Sequence, residues 1–349
     1  GPHEERCSAA IERRHDRHMI AAAEIPAVRD AQSFLREVVQ PCRPVILRGQ
    51  VADWPVVRAA QTAAGLYDYL RRMDAGCEMD AFVGDPVIAG RYFYSNDLSG
   101  FNFTRQRMGF GAALDLILAN GPRPKSVYVG SVPVAVYMPG FAADNPMPLV
   151  PAIAGPRIWL GHASNISTHY DTVDNLACVI AGNRRFTLYA PELVEDLYVG
   201  PIDHTMAGQP VSLAASAPSG DPRYPRFEAA RAQAITAELE AGDALYLPKL
   251  WWHQVEATEP FNGLINYWWD AFASGPDAPH TSMLLAMIAI SERPLPERRA
   301  WKALFDYYVF REHGHPLAHL PPERHGLLGP LAENYGKIRA RVMYLLRGN

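Results

Sequence analysis

Between Ile158 and Trp269 short apolar runs recur: "IWLGHA", "NLACVIAG", "RRFTLYAP", "DALYLPK", "WHQVEA" and "GLINYWW". Turn chemistry separates them, at Gly182-Asn183, Gly242-Asp243 and Pro260 to Gly263. Short strands at this spacing fit a sandwich or barrel and not a βαβ sheet, which would need helical crossovers between them. One longer excursion interrupts the series, roughly Val199 to Gln233, rich in Pro, Ser, Asp and Ala. It reads as a loop lying over the β core, where binding function concentrates.

The flanks have a different texture. "DAQSFLREVVQ" (Asp30 to Gln40) is helical in period, with Phe34, Leu35 and Val38 on one side. Pro44 to Arg48 reads as a strand stopped by Gly49, Ala63 to Met73 as a helix, and Arg91 to Ser95 as a strand. "GAALDLILANG" is a helix closed by Asn120-Gly121, and "KSVYVGSVPV" an extended segment. After Pro279 three stretches carry helical spacing, and the last places Tyr335, Ile338, Val342 and Leu345 or Leu346 along one face. That part is either a cap packed on the β core or a bundle that forms a homodimer. The expected organisation is a mixed α/β segment at 1–150, the β core at 151–275, and the helical cap or dimerisation segment at 276–349.

With 48% hydrophobic and 20% charged residues among 349, the chain has the means for a sizeable core. A net charge of −4 gives no basic footprint for nucleic acid. Cys7, Cys42, Cys77 and Cys178 form no CxxC pair and are too sparse for a disulfide framework, so a reducing cytoplasm is the expected location. No apolar run approaches the ~18 residues of a membrane span. Gly1-Pro2 reads as the remnant of a cleaved tag and is left out of fold reasoning.

The chemistry begins at "ISTHYDTVDNLACVIAGNRRFTLYAP". Taken as the end of a strand and the turn leaving it, this stretch aims His169 and Asp171 the same way, because side chains alternate along a strand. An HxD pair alone is most often a surface accident. Its complement comes in "GDALYLPKLWWHQVEA", where His253 precedes an alternating strand. Two imidazoles and one carboxylate on a β scaffold make the facial triad of non-haem Fe(II) oxygenases, with three metal positions left open for a co-substrate and O2.

"THYDTVDNLACVIAGNRRFTLYAP" followed by "GDALYLPKLWWHQVE" and "NYWW" resembles the JmjC or cupin-like 2-oxoglutarate oxygenases. The branch closest in pattern holds the asparaginyl hydroxylase that acts on hypoxia-inducible factor. The resemblance covers Ile158 to Trp269, and "RPVILRGQVADWP" extends it towards the N-terminus. It implies a mainly β fold with flanking helices, built on a double-stranded β-helix or jelly-roll core. It implies His169, Asp171 and His253 as Fe(II) ligands, with 2-oxoglutarate as co-substrate. It implies Asn175, at the sixth position after the first histidine, Tyr128 and Asn266 as co-substrate contacts. Arg184 stands where the family keeps a basic residue for the distal carboxylate of 2-oxoglutarate, usually a lysine, and neighbouring Arg185 is the alternative. Ile166 stands where the family's hydroxyl is usual. Both positions depart from the pattern.

Trp251, Trp252, Trp268 and Trp269 read as barrel walls, since aromatics bury large area there. His162 and His204 are either mouth residues or structural histidines, the second being commoner for a lone histidine. The resemblance favours a protein or peptide substrate, with a small molecule as the other option. The charge balance and the absence of a basic tail weigh against tRNA. The competing class is a non-catalytic cupin that holds a metal to bind a ligand or partner. A non-redox cupin enzyme would carry more histidines in a tighter cluster.

Overall fold

The computed structural model describes residues 19–118, 125–205 and 208–348. Gly1-Pro2, Cys7 and the helix end expected at Asn120-Gly121 lie outside the described residues. Among the described residues there are fifteen strands: β1 Ile20–Ala21, β2 Ala23–Pro26, β3 Val45–Arg48, β4 Glu78–Gly84, β5 Arg91–Tyr92, β6 Thr104–Gly109, β7 Ser126–Pro133, β8 Arg157–Gly161, β9 Ser164–His169, β10 Asp174–Ala181, β11 Arg184–Tyr189, β12 Ile235–Leu239, β13 Ala244–Leu247, β14 Trp252–Ala257 and β15 Asn262–Trp269.

They form two sheets. One runs β1-β12-β11-β14-β9-β5, the other β2-β3-β13-β10-β15-β8-β7-β4-β6. Strands β8 to β15 alternate between the sheets except at β11 and β12, which are neighbours in one sheet, and they pair antiparallel in the orders 12-11-14-9 and 13-10-15-8. This is the jelly-roll, or double-stranded β-helix, expected from the recurring runs. The segment before residue 150 adds strands to both sheets: β3 pairs with β13 and β7 with β8 in the larger, and β1 with β12 and β5 with β9 in the smaller.

Why β10 shows no polar alternation is now clear. Both faces of the larger sheet are covered. Ala177 and Val179 meet Phe186, Leu188, Ala237 and Leu239 of the opposite sheet. Leu176, Cys178 and Ile180 point the other way, into a core shared with Phe34, Leu66, Leu70, Phe110, Leu114 and Trp269. A strand buried on both faces reads as a continuous apolar run. The helices behind it are α1 (Ala63–Met73) and α2 (Phe110–Leu118).

The turn from β10 to β11 depends on Gly182. Its φ is +72°, and a Cβ there would lie 2.3 Å from Asn262 Oδ1, so neither backbone nor space admits a side chain. That turn places Arg184 first on β11.

Two expectations are corrected. Leu35 was expected beside Phe34 and Val38 but is exposed, and Val39 is buried instead. Phe34–Val39 winds as a π-helix, whose wider turn groups positions i, i+4 and i+5. Arg91 to Ser95 forms a ladder only at Arg91–Tyr92. Asn102 takes over the next backbone groups, accepting from Phe93 N at 2.9 Å and donating to Arg91 O at 2.7 Å.

The chain divides into two compact units, Gly1–Ala271 and Phe272–Asn349. The second contains α3 (Pro279–Ile290), α4 (Leu295–Phe305) and α5 (Leu331–Arg347). Among the described residues it buries no apolar side chain apart from Pro316. No described helix is long and apolar enough to cross a membrane.

Candidate metal centre

His169 ends β9, His253 is the second residue of β14, and the two are direct cross-strand partners. Getting His169 to face the barrel interior needs an irregularity. From Val255↔Ile166 to His253↔His169, β14 advances by two residues and β9 by three. This β-bulge turns both Ile166 and His169 inward, where strict alternation would send one of them out. Asp171 is not on the strand. It lies in the turn after β9, where its carbonyl accepts a hydrogen bond from Leu250 N at 2.8 Å.

The ligand atoms of His169, Asp171 and His253 lie within 4.8 Å of one another, and the imidazole centroids are 4.3 Å apart. Both rings are oriented by the same device: each Nδ1 bonds the carbonyl two residues earlier, His169 to Ser167 O at 2.7 Å and His253 to Trp251 O at 2.9 Å. A neutral imidazole that donates from Nδ1 presents a bare Nε2 lone pair, which a metal needs. Burial pushes the His253 pKa down to about 4, with His169 adding to the effect and Asp171 opposing it. Two nitrogens and a carboxylate fit a first-row divalent ion with open positions.

The triad lines a cavity of about 250 Å³ between the sheets. At another point on its wall is Arg184, only 4% exposed. Its Nε has no hydrogen-bond partner, burial lowers its pKa, and Tyr128 offsets this; no carboxylate enters the balance. A buried guanidinium without a counter-charge is costly, and a ligand carboxylate in the cavity would relieve it. Arg185 faces out and pairs with Glu238 at 2.7 Å. Tyr128, whose pKa burial pushes up to about 12, stays a neutral hydroxyl beside Arg184.

Asn175 and Asn266 also line the cavity, linked in a chain: Trp159 Nε1 donates to Asn266 Oδ1 at 2.6 Å, and Asn266 Nδ2 to Asn175 Oδ1 at 3.1 Å. The amide of Asn266 is thus committed, and Asn175 Nδ2 is the donor left to face the cavity. Ile166, at the position where the family's hydroxyl is usual, gives an apolar wall.

Of the tryptophans, Trp252 and Trp269 are buried walls, while Trp268 faces the cavity. His162 is structural: its Nδ1 accepts from Val127 N at 3.1 Å, and its Nε2 lies 3.1 Å from Ile117 O. His204 stacks on Phe101, with centroids 5.2 Å apart. Sequence reasoning missed Phe82, Tyr92, Phe103, Trp159, Gln209 and Val211, all on the cavity wall. The bridge between His169 and Val211 ties the 199–233 excursion to the end of β9. No spacing in the sequence signals these residues, because they come from separate loops and strands.

Comparison with known proteins agrees with this geometry. The profile of the cupin-like domain matches residues 31–275. The lysine-specific demethylase JMJ31 of Arabidopsis thaliana is 28% identical over 255 residues, 65% of this chain. The chain spans 46% of that relative's length. The bifunctional peptidase and (3S)-lysyl hydroxylase JMJD7 of Homo sapiens is 25% identical over 68% of this chain and 80% of its own length. The tRNA wybutosine-synthesizing protein 5 of Mus musculus is 35% identical over 29% of each chain. With the profile spanning most of the chain, and the jelly roll and its converging triad inside the matched residues, this protein belongs to the cupin-like domain family.

Proposed function

We propose that this chain is an Fe(II)- and 2-oxoglutarate-dependent oxygenase that hydroxylates a side chain of a protein or peptide, with 2-oxoglutarate converted to succinate. One observation carries the reading: a single cavity holds a ligand set for a divalent metal and, apart from it, a buried guanidinium lacking a counter-charge. A dicarboxylate chelating the metal at one end and meeting Arg184 at the other answers both. JMJ31 and JMJD7, named for lysine demethylation and lysyl hydroxylation, support a protein side chain as substrate.

Bound iron and 2-oxoglutarate supply, from O2, the oxidising equivalent that places a hydroxyl on a C–H bond. The protein's part is placement. His169, Asp171 and His253 hold the metal on one face, leaving the other open. Arg184 neutralises the distal carboxylate, with Tyr128 and Asn175 beside it as hydrogen-bonding groups. Phe82, Tyr92, Phe103 and Trp159 exclude water from the cavity, which strengthens every charged contact inside it.

The test is calorimetry of 2-oxoglutarate with Mn(II) in place of iron, followed by mass spectrometry of peptides incubated with enzyme, Fe(II) and 2-oxoglutarate. Binding that requires both Mn(II) and Arg184, and a gain of one oxygen on a peptide, support the reading. Binding without any consumption of 2-oxoglutarate would reduce the protein to a metal-holding binder.

The unit 272–349 is proposed to assemble with a second copy. Met283, Leu284, Leu285, Met287 and Ile288 of α3 are all exposed, and a unit with no apolar core of its own gains one by pairing. Sedimentation of a strict monomer at high concentration would remove this proposal.

A further inference from the structure

Asp174 is 1% exposed and lies three residues beyond Asp171, at the start of β10. Its carboxylate is fully engaged. Oδ1 accepts from Tyr246 OH at 3.1 Å and from Lys249 N at 3.3 Å. Oδ2 accepts from Ala271 N at 3.0 Å and pairs with Lys249 Nζ at 3.2 Å. The same ammonium bonds Asp270. Burial lowers the pKa of Lys249, but its bonds to Asp270 and Asp174 outweigh this and hold it above the usual lysine value.

These contacts fix one short loop, Pro248 to Trp251, between β13 and β14. The loop carries a left-handed residue, Leu250, at φ +69°. A non-glycine residue there is strained and persists only where its surroundings impose it. The loop also makes two contacts that matter to the metal centre. Leu250 N donates to the carbonyl of Asp171, and Trp251 O accepts from the His253 ring. Three successive residues therefore do three jobs: Lys249 anchors, Leu250 holds the backbone of one ligand, and Trp251 orients the ring of another.

We propose that Asp174 and Lys249 are positioning residues for the metal centre. Their buried ion pair sets the loop that places Asp171 and His253, though neither touches the metal site itself. The proposal rests on the triad being a metal site. It goes beyond that reading by assigning metal affinity to a charge pair outside the cavity wall. A charge pair suits this task better than apolar packing, because it has one satisfied geometry whereas packed methylenes tolerate several.

The experiment is Mn(II) binding, followed by electron paramagnetic resonance, in the full chain. Parent protein and Asp171→Ala establish the site. Lys249→Met removes the cation while Asp174 keeps three hydrogen-bond donors, so the fold has a means to survive. The double variant Asp174→Asn/Lys249→Met removes the buried charge altogether and guards against simple unfolding. Loss of groups that orient metal ligands typically costs about 10–100-fold in metal affinity. That weakening is expected in both variants at temperatures well below their melting points, with a broadened Mn(II) spectrum. Lys249→Arg should restore most of it. A merely structural pair would lower the melting temperature and leave affinity and spectrum unchanged. Mn(II) affinity within about twofold of the parent in folded Lys249→Met and in the double variant overturns the proposal. A parent protein that binds no Mn(II), or binds it equally well as Asp171→Ala, overturns the metal reading and this inference with it.

Discussion

The two faces of the nine-stranded sheet differ in what they contain and in what depends on them. Towards the helices, Leu176, Cys178 and Ile180 of β10 and Ile265 and Tyr267 of β15 are sealed in a dry core. Towards the opposite sheet, the same two strands present Asn175, Ala177, Leu264, Asn266 and Trp268 to a hollow. Residues one position apart thus serve opposite ends. The fold is held chiefly from outside the barrel, and that is why the inside can be polar, cavity-bearing and occupied by an uncompensated cation. Stability and site chemistry should therefore respond to separate sets of substitutions.

The largest test of that separation is Arg184→Ala. Removing one partner of a buried charge pair costs about 3–5 kcal/mol, so 2-oxoglutarate affinity in the presence of Mn(II) should fall by about 10²–10³ or more. Without ligand the variant should melt no lower than the parent, since the buried guanidinium has no counter-charge to lose. Arg184→Lys should keep part of the affinity, retaining the charge without the planar fork. Unchanged affinity in Arg184→Ala would clear Arg184 of the role.

On the other face, Leu176→Ala opens a cavity in a fully buried position. Such truncations cost about 2–5 kcal/mol, roughly 5–10 °C or more for a unit of this size. Affinity for 2-oxoglutarate should stay within about twofold in the folded variant. A large loss of affinity would show that the two faces are not independent.

A smaller effect concerns the stability burden of the cavity face. His253 is held neutral by burial, with its pKa near 4 in the folded protein, against about 6.5 in an unfolded chain. The unfolded state therefore binds the extra proton first as pH falls. In the metal-free protein this burden is absent above about pH 6.5, grows as pH drops, and is complete below about 4, at up to roughly 3 kcal/mol. Denaturant titrations should show that slope in the parent and its loss in His253→Gln. An equal slope in both would assign it to other groups.

The smallest expected change is Trp159→Phe. It deletes the donor to Asn266 Oδ1 and leaves a buried acceptor unmade, at about 1–3 kcal/mol. Both stability and 2-oxoglutarate affinity should drop modestly together, because Trp159 and the asparagine chain it holds line the cavity. A drop in stability alone would confine that chain to a structural role.

What could be read from the sequence follows the same division. The barrel was legible from its strand runs and turns, and the triad from its spacing, because metal chemistry restricts residue types so severely. Arg184 was legible only as one of two neighbours. The structure separates them by strand alternation from Gly182 onward, with Arg185 sent out to Glu238. The β9 bulge was not legible, since its extra residue has no compositional mark, and strand alternation alone does not account for the shared aim of His169 and Asp171, because Asp171 sits in the turn after the strand. Leu35 was misplaced because a π-turn looks helical in sequence but groups a different set of residues. Phe103, Gln209 and Val211 reach the cavity from loops whose course depends on tertiary contacts alone.

The orientation of the His169 and His253 imidazoles is insensitive to side-chain substitution at the acceptor positions. Many metal sites fix their histidines with a carboxylate side chain that a single codon change can delete. Here both acceptors are main-chain carbonyls, Ser167 O and Trp251 O. No substitution at those positions removes a carbonyl, so drift among neighbouring side chains leaves the tautomer of each ligand untouched. The side chains of the loops around the cavity can therefore change without disturbing how either imidazole is set.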